Sequence, residues 1–358
     1  MRSPRWLQIE RRPVPSGRTI FLVSVAAILG ALVVAGLFFA AYGVSPVRAY
    51  AEIFQGALGS WLGLTETVRR AIPLLLCGVG LSIAFRALFW NIGAEGQLLM
   101  GAVGAAGVAL FSGLPGPLLI PAMVIAGFLA GALWALIPAA LKAKLGLNDV
   151  ITTLMMNYIA IYVVEWLIHG PWKGPTMRGF AYTDRFPAAA QLPTIAGTRI
   201  HWPTLLIGLL AAVLVFLLIA RTKRGFEIRV VGENPHAARY AGINQVRTIL
   251  FAMLISGGLA GIAGMGEVAG IHLRLLSPTQ ISMGYGYTAI IVAWLARRNP
   301  LAVILTASFF GVIMAGGDVI KVTLRLPFQL INVFNGLILF FLIGSEILMH
   351  YRITVRRR

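Results

Sequence analysis

Charged residues are scarce in this chain: they make up 12% of its 358 residues, whereas 58% are hydrophobic and the mean hydropathy is +0.84. Soluble domains carry about 25% charged residues, so the solvent for this much apolar surface must be lipid. One cysteine, Cys77, excludes an intramolecular disulfide. Acidic residues number 12 against 30 basic ones, but the basic residues lie between apolar runs and form no aromatic-interleaved stripe, which argues against nucleic acid.

The motifs of common enzymes are missing as well. The five histidines include no pair three to five residues apart that could hold zinc, and there is no G-x-S-x-G nucleophile elbow. The sequence also lacks the phosphate-binding loop G-x-x-x-x-G-K-[ST], so the chain does not hold ATP by that device. We expect no catalytic residue, metal ligand or cofactor in this chain.

Apolar stretches dominate what is present, and about 20 helical residues are needed to cross roughly 30 Å of hydrocarbon. The stretches are 20–42, 68–89, 92–112, 117–141, 150–169, 202–220, 248–270, 284–297, 300–317 and 327–349. They predict an all-α polytopic membrane protein with about ten transmembrane helices in one domain, 20–349. The eighth stretch is short, so it is strongly tilted, re-entrant or merged with the ninth.

Basic residues predict the orientation, because lysine and arginine concentrate in cytoplasmic segments. With the N-terminus inside, the inner segments hold 20 of the 30 basic residues, and the outer loop 170–201 holds four of the others. The basic tails 1–19 and 350–358 and the segment 221–247 are therefore expected in the cytoplasm.

The segment 221–247, RTKRGFEIRVVGENPHAARYAGINQVR, is the most polar part of the chain. Asn234 and Pro235 predict a helix start, because the amide caps free N–H groups and the proline ring presets φ. Gly242 suits a left-handed helix end. A helix of about two turns does not fold alone. It is therefore either part of a solvated basic connector or a docking helix that packs against a cytoplasmic partner.

Polar side chains inside the predicted spans are candidates for a solute pathway. Glu95 either orients a helix break beside the pathway or is a first-turn acid, favoured by the helix dipole or bonded to a nearby amide. Thr153 and Asn157 share a helix face, and Asn332 and Asn335 lie one turn apart in the last span. Each pair either lines a pathway or bonds neighbouring helices.

Glycines in the seventh span predict close helix packing. Gly257 and Gly261, and then Gly266 and Gly270, are each separated by four positions. This spacing lets helix backbones approach in lipid. A nucleotide-binding loop is disfavoured, since no strand precedes the glycines and no lysine follows them.

Three motifs together resemble the permeases of ABC importers in the branched-chain amino acid and simple-sugar group. They are FWNIGAEGQLLMG at 89–101, LNDVITTLMMNYIA at 147–160 and GENPHAARYAGI at 232–243. The similarity covers about residues 20–350, and the first two motifs look most like permeases served by nucleoside-binding lipoproteins.

The resemblance implies a type II ABC importer-like bundle in the bacterial inner membrane that takes up nucleosides or, alternatively, simple sugars. Its partners would be a second permease-like chain, a cytoplasmic ATP-binding subunit with two fused nucleotide-binding domains, and an external substrate-binding lipoprotein. The expected ATPase contact is the short cytoplasmic helix with its flanks: Glu233, Asn234, Pro235, His236, Ala237, Ala238, Arg239, Tyr240 and Gly242. An ion-coupled secondary transporter is the less favoured alternative, because the docking helix would then have no role.

Overall fold

The computed structural model describes residues 7–11, 17–177, 179–325, 333–334, 336–338, 340–341, 344–345 and 351–355. Two compact units divide the chain: one is Ala57–Ala315, and the other combines Met1–Gly56 with Gly316–Arg358. Asn332, Asn335 and much of the predicted tenth span lie outside the described residues.

The smaller unit begins with a two-stranded ribbon, in which β1 (Leu7–Arg11) pairs antiparallel with β2 (Tyr351–Val355). These strands lie in segments that the sequence predicts as basic tails. They are the only strands named among the described residues, so the all-α prediction omitted them. This pairing joins positions more than 300 residues apart in the chain, so a local sequence pattern could not predict it.

Two helices follow in this unit, α1 (Gly17–Ala41) and α2 (Pro46–Leu58). The predicted first span, 20–42, corresponds to α1, but the chain then bends by 109° into α2, which the sequence did not predict. Proline at the first position of α2 needs no N–H partner and presets the helical φ. A small buried cluster packs around this bend: Phe39, Ala49, Ile53 and Ile320.

The larger unit is built from long helices connected by short ones. The long helices are α3 (Trp61–Arg86), α4 (Ala94–Phe111), α5 (Gly116–Leu145), α6 (Asp149–His169), α7 (Trp202–Arg221), α10 (Gln245–Gly266) and the part of α13 (Pro300–Thr323) up to Ala315. The short helices are α8 (Lys223–Glu233), α9 (Pro235–Tyr240), α11 (Pro278–Ser282) and α12 (Tyr285–Leu295). A π-helical turn, Glu267–His272, extends α10, and a 3-10 turn, Ala188–Ala190, lies in the predicted outer loop.

Local sequence sets several of these helix ends. The Gly63 N–H donates to Ser60 Oγ at 3.0 Å, and the Ile151 N–H donates to Asn148 Oδ1 at 3.2 Å. Side-chain caps of this kind satisfy amides that have no partner within the first helical turn. α5 ends where Gly146 adopts a left-handed φ of 69°, a conformation that glycine adopts without steric cost.

Seven helices among the described residues are long and apolar enough to cross a membrane, and the bent pair of α1 and α2 adds an eighth. The multi-pass prediction is confirmed, but the count of ten is not. The eighth predicted stretch contains α12, whose 11 residues extend about 16 Å. Arg297 and Arg298 then adopt φ angles of 52° and 60°, which end the helical segment before α13. The two stretches are therefore separate, and the merged alternative is wrong.

Helices pack very closely where α10 crosses α4 and α5. A Cβ added to Gly101 would lie 2.2 Å from the Gly261 Cα, and one added to Gly261 would lie 2.1 Å from the Gly127 oxygen. Only residues without a Cβ permit this approach of three backbones. The glycine pattern of the seventh span is therefore a packing pattern, as predicted.

Candidate functional site

The short helix of the segment 221–247 forms at the position that the sequence indicates. α9 starts at Pro235, and Asn234 Oδ1 accepts hydrogen bonds from the His236 and Ala237 N–H groups at 3.0 and 3.1 Å. Gly242, with φ of 72°, follows the helix end. The helix is six residues long, so its cap and its neighbours must stabilise it.

The predicted contact residues of α9 do not share one face. Ala238 has no exposed surface, whereas Tyr240 is 95% exposed. The flanking positions Glu233, Asn234, Pro235, His236, Ala237, Arg239 and Gly242 are also exposed. Ala238 therefore packs against this chain and is unavailable to a partner, which corrects its inclusion in the docking surface.

Much of the preceding polar segment is also helical. α8 covers Lys223–Glu233 and buries Gly225, Ile228 and Val231. The Thr222 hydroxyl caps it by accepting a bond from the Gly225 N–H at 3.0 Å. The sequence predicted only the short helix at Pro235, so α8 is an element that sequence reasoning missed. Its apolar positions are spaced by three residues and were obscured by the surrounding charges.

A cleft of about 540 Å³ lies next to α9. Its lining includes Pro235 and Arg239 of the α9 helix, and also Ala87, Leu88 and Lys142. Residues 87–93, which join α3 to α4, are called the connector below. The cleft thus places α9 beside the connector, which continues into the interior of the unit.

Lys142 and Asp149 hold the connector from α5 and α6. Asp149 Oδ2 accepts hydrogen bonds from the Trp90 N–H and from Lys142 Nζ, each at 2.6 Å. Lys142 Nζ also donates to the Leu88 carbonyl at 2.6 Å and lies 4.9 Å from the centre of the Phe89 ring. The side chain of Asn148, and not that of Asp149, caps the start of α6. This partly buried ion pair fixes the connector's backbone by charge-assisted hydrogen bonds.

Deeper along the connector, Asn91 is the centre of a buried polar network. Its Nδ2 donates to Gln97 Oε1 at 2.9 Å and to Ser256 Oγ at 3.0 Å. Its Oδ1 accepts from Gln97 Nε2 at 2.9 Å and from the Gly93 N–H at 3.0 Å. When buried polar groups satisfy one another's hydrogen bonds, they fix one arrangement of the segments that carry them. These bonds fix the connector against α4 and α10.

Thr153 and Asn157 hold the same connector from α6 and are fully buried. Asn157 Oδ1 accepts from the Gly96 N–H at 2.9 Å, and its Nδ2 donates to the Ile92 carbonyl at 2.9 Å and to Tyr287 Oη at 3.3 Å. Thr153 Oγ1 accepts from the Ile92 N–H at 3.3 Å. Of the two roles predicted for these residues, their geometry is that of hydrogen bonds between neighbouring elements.

Glu95 is also buried, and its carboxylate binds a helix N-terminus far along the sequence. Glu95 Oε2 accepts from the Gly286 N–H at 2.8 Å, in the first turn of α12. The position suits a carboxylate, because free amides and the positive end of the helix dipole meet there. The prediction named a nearby amide as one option, and the structure provides an amide from another helix.

Sequence reasoning identified some members of this site and missed others. The structure places Glu95, Thr153 and Asn157 around the connector, while Asn332 and Asn335 lie outside the described residues. The missed members are Asn91, Gln97, Lys142 and Ser256. The first two fall within the motif at 89–101, so that motif was the available signal.

The family model and three relatives that match this chain all describe transport permeases. The model of the family described as branched-chain amino acid transport system / permease component matches residues 63–343. The glucose ABC transporter permease protein TsgB13 of Haloferax volcanii is 37% identical, covering 98% of this chain and 94% of its own.

Two relatives come from Bacillus subtilis. The guanosine ABC transporter permease protein NupP is 32% identical, covering 90% of this chain and 93% of its own. The guanosine ABC transporter permease protein NupQ is 28% identical, covering 68% of this chain and 78% of its own. This chain thus resembles two different permease proteins of one organism.

Proposed function

This chain belongs to the family of branched-chain amino acid transport system permease components, and from that premise we propose that it is the membrane-spanning subunit of an ATP-driven importer. The family match over residues 63–343 carries the proposal. The absence of a phosphate-binding loop from the sequence supports a division of labour, in which a separate subunit hydrolyses ATP. The chain itself provides the route for the solute.

The solute that fits best is a nucleoside. NupP covers most of this chain and is a guanosine permease protein, and the motifs at 89–101 and 147–160 favour the same class. Glucose is the second candidate, because TsgB13 is 37% identical over nearly the whole chain. Both solutes contain a hydroxylated sugar ring, so related permeases can serve either with modest changes in side chains.

The importer contains further subunits. NupP and NupQ are two guanosine permease proteins of one organism, which supports pairing with a second permease-like chain. A cytoplasmic ATP-binding subunit with two fused nucleotide-binding domains supplies the energy, and an external lipoprotein delivers the solute. The complex lies in the bacterial plasma membrane with both ends of this chain in the cytoplasm, as the distribution of basic residues favours.

The docking surface for the ATPase is the exposed side of α9. Tyr240 is almost fully exposed there beside Arg239, and tyrosine and arginine are the residue types that most often dominate the energy of protein interfaces. Movement of the ATPase would reach α9 first, then the neighbouring connector, and through its hydrogen bonds the helices of the larger unit.

One experiment tests the transport function. The chain is copurified with its neighbouring subunits, and uptake of labelled guanosine and glucose is measured in proteoliposomes with the external receptor. We expect ATP-dependent guanosine uptake that vanadate abolishes and ionophores leave unchanged. Uptake by this chain alone, without any ATPase, would contradict the proposal, and glucose uptake without guanosine uptake would favour the second candidate.

A second experiment tests α9 as the docking surface. Arg239→Glu and Tyr240→Ala should each weaken ATPase binding about tenfold or more, since an interface hot spot contributes about 2 kcal/mol. Lys144→Glu is the matched control, because it makes the same charge reversal as Arg239→Glu at another exposed cytoplasmic position. Ala238→Asp is unsuitable, since it would bury a charge. Equal ATPase binding by all three variants would exclude α9 as the docking surface.

A further inference from the structure

One exposed helix face in the larger unit differs in chemistry from its neighbours. The outward residues of α6 recur at helical spacing: Ile151, Met155, Tyr158, Ile159, Tyr162 and Trp166. Three of them, the two tyrosines and the tryptophan, are aromatic and carry polar atoms. Tyr158 is 51% exposed and lies near the middle of the helix. Thr153 and Asn157, the predicted pathway residues of α6, face inward instead.

The exposed faces of α5 and α7 provide an internal comparison. Apart from Trp202 at the start of α7, their large exposed residues are aliphatic, such as Ile125, Leu129 and Leu133 on α5 and Leu210 and Leu214 on α7. Aliphatic faces are those expected against lipid tails. If α6 faced the same environment, its exposed surface would not need hydroxyl and indole groups.

Membrane-interface preference explains only part of this difference. Tyrosine and tryptophan are enriched where a span meets water, which accounts for Trp166 near the end of α6. Tyr158 is the tenth residue of a 21-residue helix, so its hydroxyl lies far from either end. A buried phenol normally has a hydrogen-bond partner, and lipid tails supply none.

A second tyrosine from another helix adjoins this face. Tyr287 of α12 is 39% exposed, and its hydroxyl accepts a hydrogen bond from Asn157 Nδ2 at 3.3 Å. Asn157 directly precedes Tyr158 in α6. Asn157, held in turn by Gly96 and Ile92, thus orients a phenol at the edge of the aromatic stripe.

We propose that Tyr158, Tyr162, Trp166 and Tyr287 form an aromatic wall of the solute route, on which the base of a nucleoside stacks during passage. The inference rests on the proposed function and adds the surface that contacts the solute. Aromatic rings accept any nucleobase face without base-specific hydrogen bonds. Such contacts suit a permease that must release its solute, because they are short-ranged and need no buried charge. The hydroxyl and indole groups at the edges of the wall remain available to water in the route.

Thiol accessibility tests whether this face contacts water. Cys77 is buried and is the chain's single cysteine, so Cys77→Ser provides a background without thiols. Tyr158→Cys and Tyr162→Cys are made in it, with Leu129→Cys on α5 as the control of similar exposure. In the assembled complex, a membrane-impermeant thiol reagent should modify the two α6 positions at least tenfold faster than Leu129→Cys, and guanosine should slow that reaction.

The outcomes separate the possible environments of the face. Labelling of the α6 positions no faster than that of Leu129→Cys would overturn the proposal. If unlabelled α6 variants also lose the second permease chain on purification, the face is an interface between permeases. Labelling is independent of uptake, so a complex that transports neither guanosine nor glucose would contradict the proposed function without changing this readout.

A ring-retaining substitution tests stacking. Tyr158→Phe keeps the aromatic ring and should keep guanosine uptake within about twofold of wild type. Tyr158→Leu removes the ring and should lower uptake about tenfold, in line with the usual contribution of one base–ring stack. Leu129→Ala is the control on the aliphatic face. Equal uptake by the Phe and Leu variants would refute stacking, even if both positions are accessible to water.

Discussion

Replacing Asn157 by leucine provides a sharp test of the connector network. Leucine has nearly the same branched shape as asparagine, so the substitution leaves little cavity and removes mainly hydrogen bonds. Three are lost: those with the Gly96 N–H, the Ile92 carbonyl and the Tyr287 hydroxyl. The Gly96 N–H lies in the first turn of α4, where amides have no helical partner, and Asn157 caps it from α6.

The magnitude follows from these three contacts. Hydrogen bonds between membrane helices contribute about 0.6 kcal/mol on average and up to about 1.7. A buried backbone group left without a partner costs a further ~1–3 kcal/mol. Asn157 has no exposed surface, so water cannot replace its amide. We expect Asn157→Leu to lower the free energy of unfolding by about 2–4 kcal/mol, which for a chain of this length corresponds to a fall in Tm of about 3–5 °C.

Thermal unfolding of the purified protein in nanodiscs measures this effect. Tyr158→Leu is the matched control, because it replaces the next residue of the same helix, whose side chain is exposed. Surface changes of that kind usually alter stability by no more than ~0.5 kcal/mol. Asn157→Leu should therefore reduce Tm, whereas Tyr158→Leu should reduce uptake at nearly wild-type Tm. An Asn157→Leu protein that melts like wild type but transports poorly would put Asn157 on the solute route and refute this reasoning.

Three further predictions concern packing, the connector and pH. Gly261→Ala should destabilise the protein by about 1–3 kcal/mol, because the new Cβ would meet a backbone oxygen, whereas Gly336→Ala, with open space around it, should leave the melting curve unchanged. Lys142→Met should destabilise by about 1–3 kcal/mol by leaving the Asp149 carboxylate without its cation, and a double-mutant cycle should show that adding Asp149→Asn recovers part of the loss. Burial lowers the pKa of His201 to about 4, below the ~6.5 of an unfolded chain. Below about pH 6.5 the folded state therefore binds fewer protons than the unfolded state, so stability is lost as the pH falls towards 4. His201→Gln should flatten the decline in Tm between pH 7 and pH 5.

The sequence predicted well those parts of the structure that are set by residues adjacent to one another in the chain. Asn234 and Pro235 define the start of α9 within two residues, and Gly242 marks its end. Apolar runs of about 20 residues likewise identify most membrane-crossing helices. The limits of α12 were also close to the prediction, since the stretch 284–297 contains Tyr285–Leu295 and the left-handed Arg297 and Arg298 follow the helix.

The candidate site could be predicted only in part, because its contacts join distant segments. Glu95 bonds Gly286 across 191 positions, and Asn157 reaches Tyr287 across 130. A side chain that lines a route and one that bonds two helices look alike in a sequence, since both are polar residues in an apolar helix. Burial separates them, and burial depends on the tertiary packing. Ala238 illustrates the same limit, because α9 is too short for a pattern to show which side faces inward.

The bond between Glu95 and the first turn of α12 constrains how the larger unit deforms. Together with the contacts of Asn157, it fastens α4, α6 and α12 to one another at their inner surfaces. Separating them would leave a carboxylate and several amides without partners in an apolar interior, so we expect these helices to move as one rigid body. The hinges of a transport cycle should therefore be sought at the margins of that rigid body, and a crosslink between α4 and α12 should leave turnover intact.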